Sequence, residues 1–180
     1  MLASEITPEK VRDPQNKILP HWSVVNIAKA TGQSVISFFG DTIKSVGYGR
    51  TSMSIAHRFN KGENFILQGI GRIFVPGILY ADWNLLMSKH PFITLKIGNE
   101  EMLNYPLNLV KDILSVDGAA GAYVRENVGD WTKIPNAIEI PDETEFSIDM
   151  NAGDGDFSTL TPTGGIYMGV VMFGQGRRRK

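Results

Sequence analysis

The chain has 180 residues, a formal net charge of −1, 42% hydrophobic and 21% charged residues, and no cysteine. That length suits one domain, or one domain with an arm. The absence of cysteine excludes thiol nucleophiles, thiolate metal sites and disulfides, and the near-zero charge excludes a global pull towards nucleic acid or an anionic membrane.

Residues 1–22 read as an extended arm, because Pro8, Pro14 and Pro20 stand among charges and block a continuous helix or a central strand. Glu5, Glu9 and Lys10 precede any apolar run, so the start does not read as a signal peptide. Residues 23–30 suit one strand or a short helix. Val35, Ile36, Phe38 and Phe39 lie between Gly32 and Gly40 as a short buried strand. Met53, Ile55 and His57 alternate with Ser52, Ser54 and Ala56 and suggest another. Phe65 to Val75 is the longest apolar stretch and reads as a central strand. Its Gly69 and Gly71 mark a bulge or a close backbone approach.

Asp82 is a candidate helix N-cap, with Trp83, Leu85, Leu86 and Met87 after it and Pro91 closing the segment, so a short helix is expected over 82–89. Ile93, Leu95 and Ile97 alternate with Thr94 and Lys96 as a strand, Gly98-Asn99 makes a hairpin-like turn, and Met102 to Tyr105 returns. Asp117 to Gly121 reads as a loop. Ala137, Ile138 and Ile140 resume strand character up to Pro141, and Phe146, Ile148 and Met150 alternate with polar residues. Residues 151–165 read as a surface loop. In the last strand, Ile166, Met168, Val170 and Met172 occupy one face and Tyr167, Val171 and Phe173 the other. A strand apolar on both sides is covered on both sides. One cover is the opposite sheet, and the other is an arm, a helix or another subunit. Seven or eight short strands with one inserted helix predict an all-β, two-sheet antiparallel sandwich of jelly-roll type. Its domain spans 23–176, between the arm and a basic tail at 177–180.

Catalytic patterns are missing from the sequence. His21, His57 and His90 are isolated, and there is no Gly-x-Ser-x-Gly elbow. The two glycines at 69 and 71 lack the third of a dinucleotide fingerprint and sit in a strand, and there is no phosphate-loop lysine. Asp142, Glu143, Glu145, Asp149, Asp154 and Asp156 crowd one region; their oxygens suit a calcium loop, although the spacing fails the EF-hand pattern, and the alternative is a solvated edge. The chain is therefore expected to be no enzyme and to hold no cofactor or metal. No stretch approaches the ~20 apolar residues of a membrane helix. Leu19, Trp22, Tyr167, Val171 and Phe173 are candidate subunit contacts in a homo-oligomer. Arg177, Arg178, Arg179 and Lys180 follow a glycine-rich hinge and are candidate contacts to nucleic acid or an acidic partner.

Three stretches carry a family resemblance: Glu63 to Ile70, followed by the segment from Asp82 to Gly98; Ile138-Glu139-Ile140-Pro141 with the acidic turn and Phe146 to Ile148; and Val170 to Gly174 before Arg177. Their order resembles that of the jelly-roll virion proteins of bacteriophages, over roughly residues 50–176. The resemblance implies a structural role in a virion, made in the host cytoplasm, as a capsid, minor capsid or decoration subunit that contacts itself and other virion proteins. It carries no catalytic residues. Two other readings suit the same fold class. One is a carbohydrate- or receptor-binding module using Trp83 or Trp131; the other is a cupin-type enzyme, which needs clustered histidines and carboxylates.

Overall fold

A computed structural model describes residues 16–27, 32–75, 79–112, 131–157 and 166–178 of the protein. Among these, β1 (Asn16–Asn26), β3 (Glu63–Val75), β6 (Thr132–Ile140) and β8 (Tyr167–Arg178) form one antiparallel sheet in the order β1-β8-β3-β6. A second antiparallel sheet joins β2 (Val35–Phe38), β4 (Phe92–Ile97), β5 (Glu100–Pro106) and β7 (Phe146–Asn151) in the order β2-β7-β4-β5. Two short helices, α1 (Ile43–Val46) and α2 (Tyr80–Met87), and a 3-10 turn at Leu107–Leu109 lie in the connections. The strand registers put the β1–β2, β3–β4, β5–β6 and β7–β8 connections at one end and the other three at the opposite end.

The inner faces follow from strand alternation. Ile93 and Leu95 of β4, Phe146, Ile148 and Met150 of β7, and Met168, Val170 and Met172 of β8 all enter one continuous core. In β3 the alternation is interrupted. Leu67 pairs with Gly174 and Gly69 with Phe173, so Gln68 is an extra residue. Against β6 the register also shifts here, but in the opposite sense: two steps along β3, from Leu67 to Gly69, span five along β6, from Ile138 to Lys133. Because of this bulge, Leu67 and Ile70 both reach the core although they are three residues apart. Phe74 follows Ile70 inward, and so does Arg72 between them.

Arg72 is 2% exposed and Asp112 1%. Arg72 Nε donates to Asp112 Oδ1 at 2.7 Å, its Nη1 donates to the Leu107 carbonyl, and its guanidinium lies 4.4 Å from the centre of the Trp83 ring. The backbone joins in: the Arg72 N–H donates to the Lys111 carbonyl at 3.0 Å. One side chain thus ties β3, α2 and the 107–112 segment together. Trp83 and Leu86, three apart on α2, are its buried residues. The helix starts two residues before the expected N-cap. Leu79 holds the cap position in extended conformation, and Asp82 lies in the first turn, where its charge suits the helix dipole.

The expected arm and tail differ from the observed strands. β1 takes in residues 16–22, and Arg177 and Arg178 are paired inside β8, opposite Asn16 of β1 and Asn64 and Glu63 of β3. Pro20 fits in β1 because it is in phase with Trp22 and Val24. Those two residues use their N–H groups away from β8, towards Ser52 Oγ and the Arg50 carbonyl. A proline at that phase removes no bond to β8. Residues 52–57 form bends and turns in place of the expected strand. They are held by the His57 N–H to the Phe39 carbonyl and the Phe146 N–H to the His57 carbonyl. The 117–121 loop, residues 158–165, Arg179 and Lys180 lie outside the described residues.

Removing the Asp112 carboxylate leaves a guanidinium buried without its ion partner. Asp112→Ala is therefore expected to cost about 3–5 kcal/mol in urea unfolding, whereas Arg72→Met combined with Asp112→Leu recovers most of that loss. A double variant as unstable as Asp112→Ala would show that the charge pair is not the source of the cost.

Candidate interaction face

Where β1, β3 and β8 run together beyond the bulge, the outward side of the first sheet carries an apolar patch. Val24 of β1, Ile73 of β3 and Val171 of β8 form a second buried cluster, with Trp22, Tyr167 and Phe173 half-buried around it. Strand pairing builds this set. Trp22 lies opposite Val171, and Val24 opposite Gly169. Gly69, Gly71 and Ile73 are the outward positions of β3 after its bulge, opposite Phe173, Val171 and Gly169.

The glycines make room for larger neighbours. A Cβ on Gly169 would come within 2.6 Å of Ile73 and 2.9 Å of Val24. A Cβ on Gly69 would come within 2.1 Å of the Trp131 ring, which lies across that bare backbone. Trp131 in turn stacks on Phe173, with ring centres 4.6 Å apart and planes 19° from parallel. At the β1 edge, the 48–52 segment closes the strand. Ser52 N–H donates to the Trp22 carbonyl at 3.0 Å, and Trp22 Nε1 donates to the Tyr48 carbonyl at 3.0 Å. Arg50 brings a cation to the rim: Nε and Nη2 each donate to the Val24 carbonyl at 3.3 Å, and its guanidinium lies 5.8 Å from the Tyr167 ring centre.

The outward side of the second sheet is mostly polar, although Val35 of β2 is exposed there. Ser147 and Asp149 alternate with the buried positions of β7 and are hydrogen-bonded to each other at 2.8 Å. Asn151 Nδ2 donates to Thr94 Oγ1 at 3.0 Å, which satisfies a threonine only 3% exposed. The sandwich thus has one solvated face and one aromatic face.

Four of the five expected subunit contacts, Trp22, Tyr167, Val171 and Phe173, come together on the aromatic face. Leu19 lies in β1, paired with Gly174 of β8. Val24, Ile73, Trp131 and Arg50 join the face without having been expected there. Val24 was signalled by its period-2 spacing from Trp22, but Ile73 is reached only by pairing across β8. Much of the second cover expected for β8 comes from inside the chain, since Val171 is 7% exposed beneath its flanking aromatics.

The side chains considered for other chemistry are scattered or enclosed. Trp83, a candidate sugar platform, is buried under Arg72. His21 contacts Phe59 and Phe65, whereas His90 pairs with Asp154 Oδ2 at the exposed far end of the sandwich. Asp142 accepts the Gly62 N–H at 2.6 Å, well separated along the fold from Asp154. Among the described residues, no three His, Asp or Glu side chains gather as a metal site. No described helix is long and apolar enough to cross a membrane.

Gly69→Ala forces its methyl against Trp131 and also to 2.8 Å from the Thr132 carbonyl, which is backbone and cannot swing away. The expected cost is about 1–3 kcal/mol, with a change in tryptophan fluorescence as the Trp131–Phe173 stack opens. Gly49→Ala has nothing within 4 Å of the new atom and serves as the neutral control. Equal stability of the two variants would show that the Trp131 stack tolerates displacement.

No family model matches this chain, and no curated protein or solved structure matches it.

Proposed function

We propose that the chain is a self-associating structural subunit of a virion, of the bacteriophage jelly-roll kind that its three sequence stretches resemble. The observation that carries the reading is the contrast between the two outward faces. One holds Trp22, Tyr167, Phe173 and Trp131 around an apolar centre, and the other is mostly polar. Half-buried aromatics on a sheet face suit protein contact, because they offer large rigid surfaces at low cost in side-chain entropy.

The strand pairing supports the jelly-roll form. β1 pairs with β8, β2 with β7, β3 with β6 and β4 with β5. This is the order obtained when one long antiparallel ribbon is folded over into two sheets. The proposed mechanism is passive and involves no catalysis. Copies bury the aromatic face against one another or against other virion proteins, and closed symmetry repeats one modest interface many times. Arg179 and Lys180 continue from β8 and supply sequence-independent contacts to nucleic acid or an acidic partner, which weaken as salt rises. The place of action is the virion, assembled from chains made in the host cytoplasm; whether the role is capsid, minor capsid or decoration subunit is set by the partners.

Light scattering over a concentration range tests this reading. The chain is expected to exceed monomer mass and to form a defined oligomer, and Trp22→Ser with Phe173→Ser is expected to weaken association at least about tenfold, or 1.4 kcal/mol. Truncation belongs before residue 16, because removing residues 1–22 takes away part of β1. A monomer at every concentration, unaltered by the double variant, would overturn self-association.

A further inference from the structure

We propose that His21 is an acid-operated latch on β1: a proton on its ring frees the strand from the inner side of the first sheet and from the 48–52 segment, taking Trp22 out of the aromatic face. The latch is a property of the chain alone. Only its consequence for assembly rests on the self-association reading.

β1 is an edge strand, so β8 holds one side of it and the short 50–52 stretch the other. Its inward side chains are His21, Ser23 and Val25. Ser23 Oγ accepts the Phe39 N–H at 2.8 Å, and Val25 packs on the main core. His21 carries the join at the lower part of the strand. Its ring meets Phe59 at 4.9 Å and Phe65 at 5.0 Å, both edge-on, and its Nδ1 lies 3.1 Å from Ser52 Oγ. That same hydroxyl accepts the Trp22 N–H at 3.1 Å. Imidazole, serine and the outer edge of β1 therefore form one small polar unit walled by phenyl rings.

A neutral ring suits this setting and a charged one does not. Burial holds His21 down to about 4 against its ordinary 6.5, while the Glu63 carboxylate at the start of β3 pulls the other way. The remaining neighbours are uncharged: Met172 opposite on β8, Ser52, Phe59 and Phe65. Arg58 and Lys61 in the adjoining loop are exposed. The bound value lies below the free one, so a released strand takes up a proton that the docked strand refuses. Docking is fully favoured above pH 6.5, loses ground as pH falls towards 4, and changes no further once both forms are protonated. With these two values, the opening equilibrium rises about 30-fold at pH 5 and more than about 100-fold at pH 4. Opening at an edge leaves β8, β3 and β6 paired and the second sheet intact, so a sub-global event is the natural response.

The test is amide exchange on the whole chain between pH 7 and 4, corrected for intrinsic rates, together with a proton NMR titration of the His21 ring. Expected are a ring that titrates well below 6.5 and protection lost first at Trp22, Val24 and Ser52, while β4 and β7 keep theirs. His21→Phe, which retains the aromatic packing, and His21→Gln, which retains polarity, are both expected to flatten that pH profile. Loss of protection at β1 in step with the whole fold overturns the latch, as does the same profile in both variants or a ring that titrates near 6.5. Light scattering on the same samples separates the two ideas. A monomer whose β1 still opens with acid leaves the latch standing and removes self-association. An oligomer whose β1 stays protected does the reverse.

Discussion

Gln68 is the extra residue by which β3 slips register against β8, at the point where its register against β6 also shifts, and the composition of both sides of the first sheet follows from it. With unbroken alternation from Leu67, the inward positions would be Gly69, Gly71 and Ile73. Two of these carry no side chain, and the core would lose the volume of Ile70 and Phe74. The bulge turns Ile70, Arg72 and Phe74 inward and leaves Gly69 and Gly71 outward, with the Trp131 ring lying across Gly69. A half-step in one strand thus sets the core, the buried ion pair and the aromatic face together. A close-packed interior tolerates no other phase.

Turning Arg72 inward brings a charge among apolar side chains, which is costly unless every part of it is engaged. Asp112, the Leu107 carbonyl and the Trp83 ring supply that engagement. The requirement in turn organises the end of the sandwich. The stretch between β5 and β6 must pass close enough to present Asp112, and α2 must lie flat enough to cover the guanidinium. The opposite end is organised by backbone bonds, with Phe39, His57 and Glu143 in left-handed conformations that let the loops around 39–62 and 141–145 interlock.

The functional proposal draws on the same asymmetry. Polar alternation on β7 keeps the second sheet's outward side solvated, while β1, β3 and β8 expose aromatic rims around a valine and isoleucine centre. The aromatic side is anchored at its edge by β1, and β1 is held by a histidine whose charge state its surroundings resist. The face proposed to meet other subunits and the group proposed to respond to acid are therefore consecutive residues, Trp22 and His21, pointing to opposite sides of one strand.

Period-2 alternation made β4, β7 and the two faces of β8 legible in the sequence, because a half-buried strand writes its environment into every second residue. The same logic exposed Tyr167, Val171 and Phe173, and glycines 69 and 71 signalled a bulge or close approach where both in fact occur. β1 was hidden because Pro20 reads as a breaker until the strand's partner is known; only pairing shows that its missing N–H points away from β8. Arg72 read as an ordinary charge in an apolar run, since its direction depends on a slip that two other strands impose and its partner lies 40 residues away. Local alternation and turn chemistry in the sequence by itself determined that this chain makes short strands and which of their faces are apolar. The tertiary structure alone decided which strands pair and in what phase, and hence which side chains share a face, because those choices are made by long-range packing that no neighbouring residue encodes.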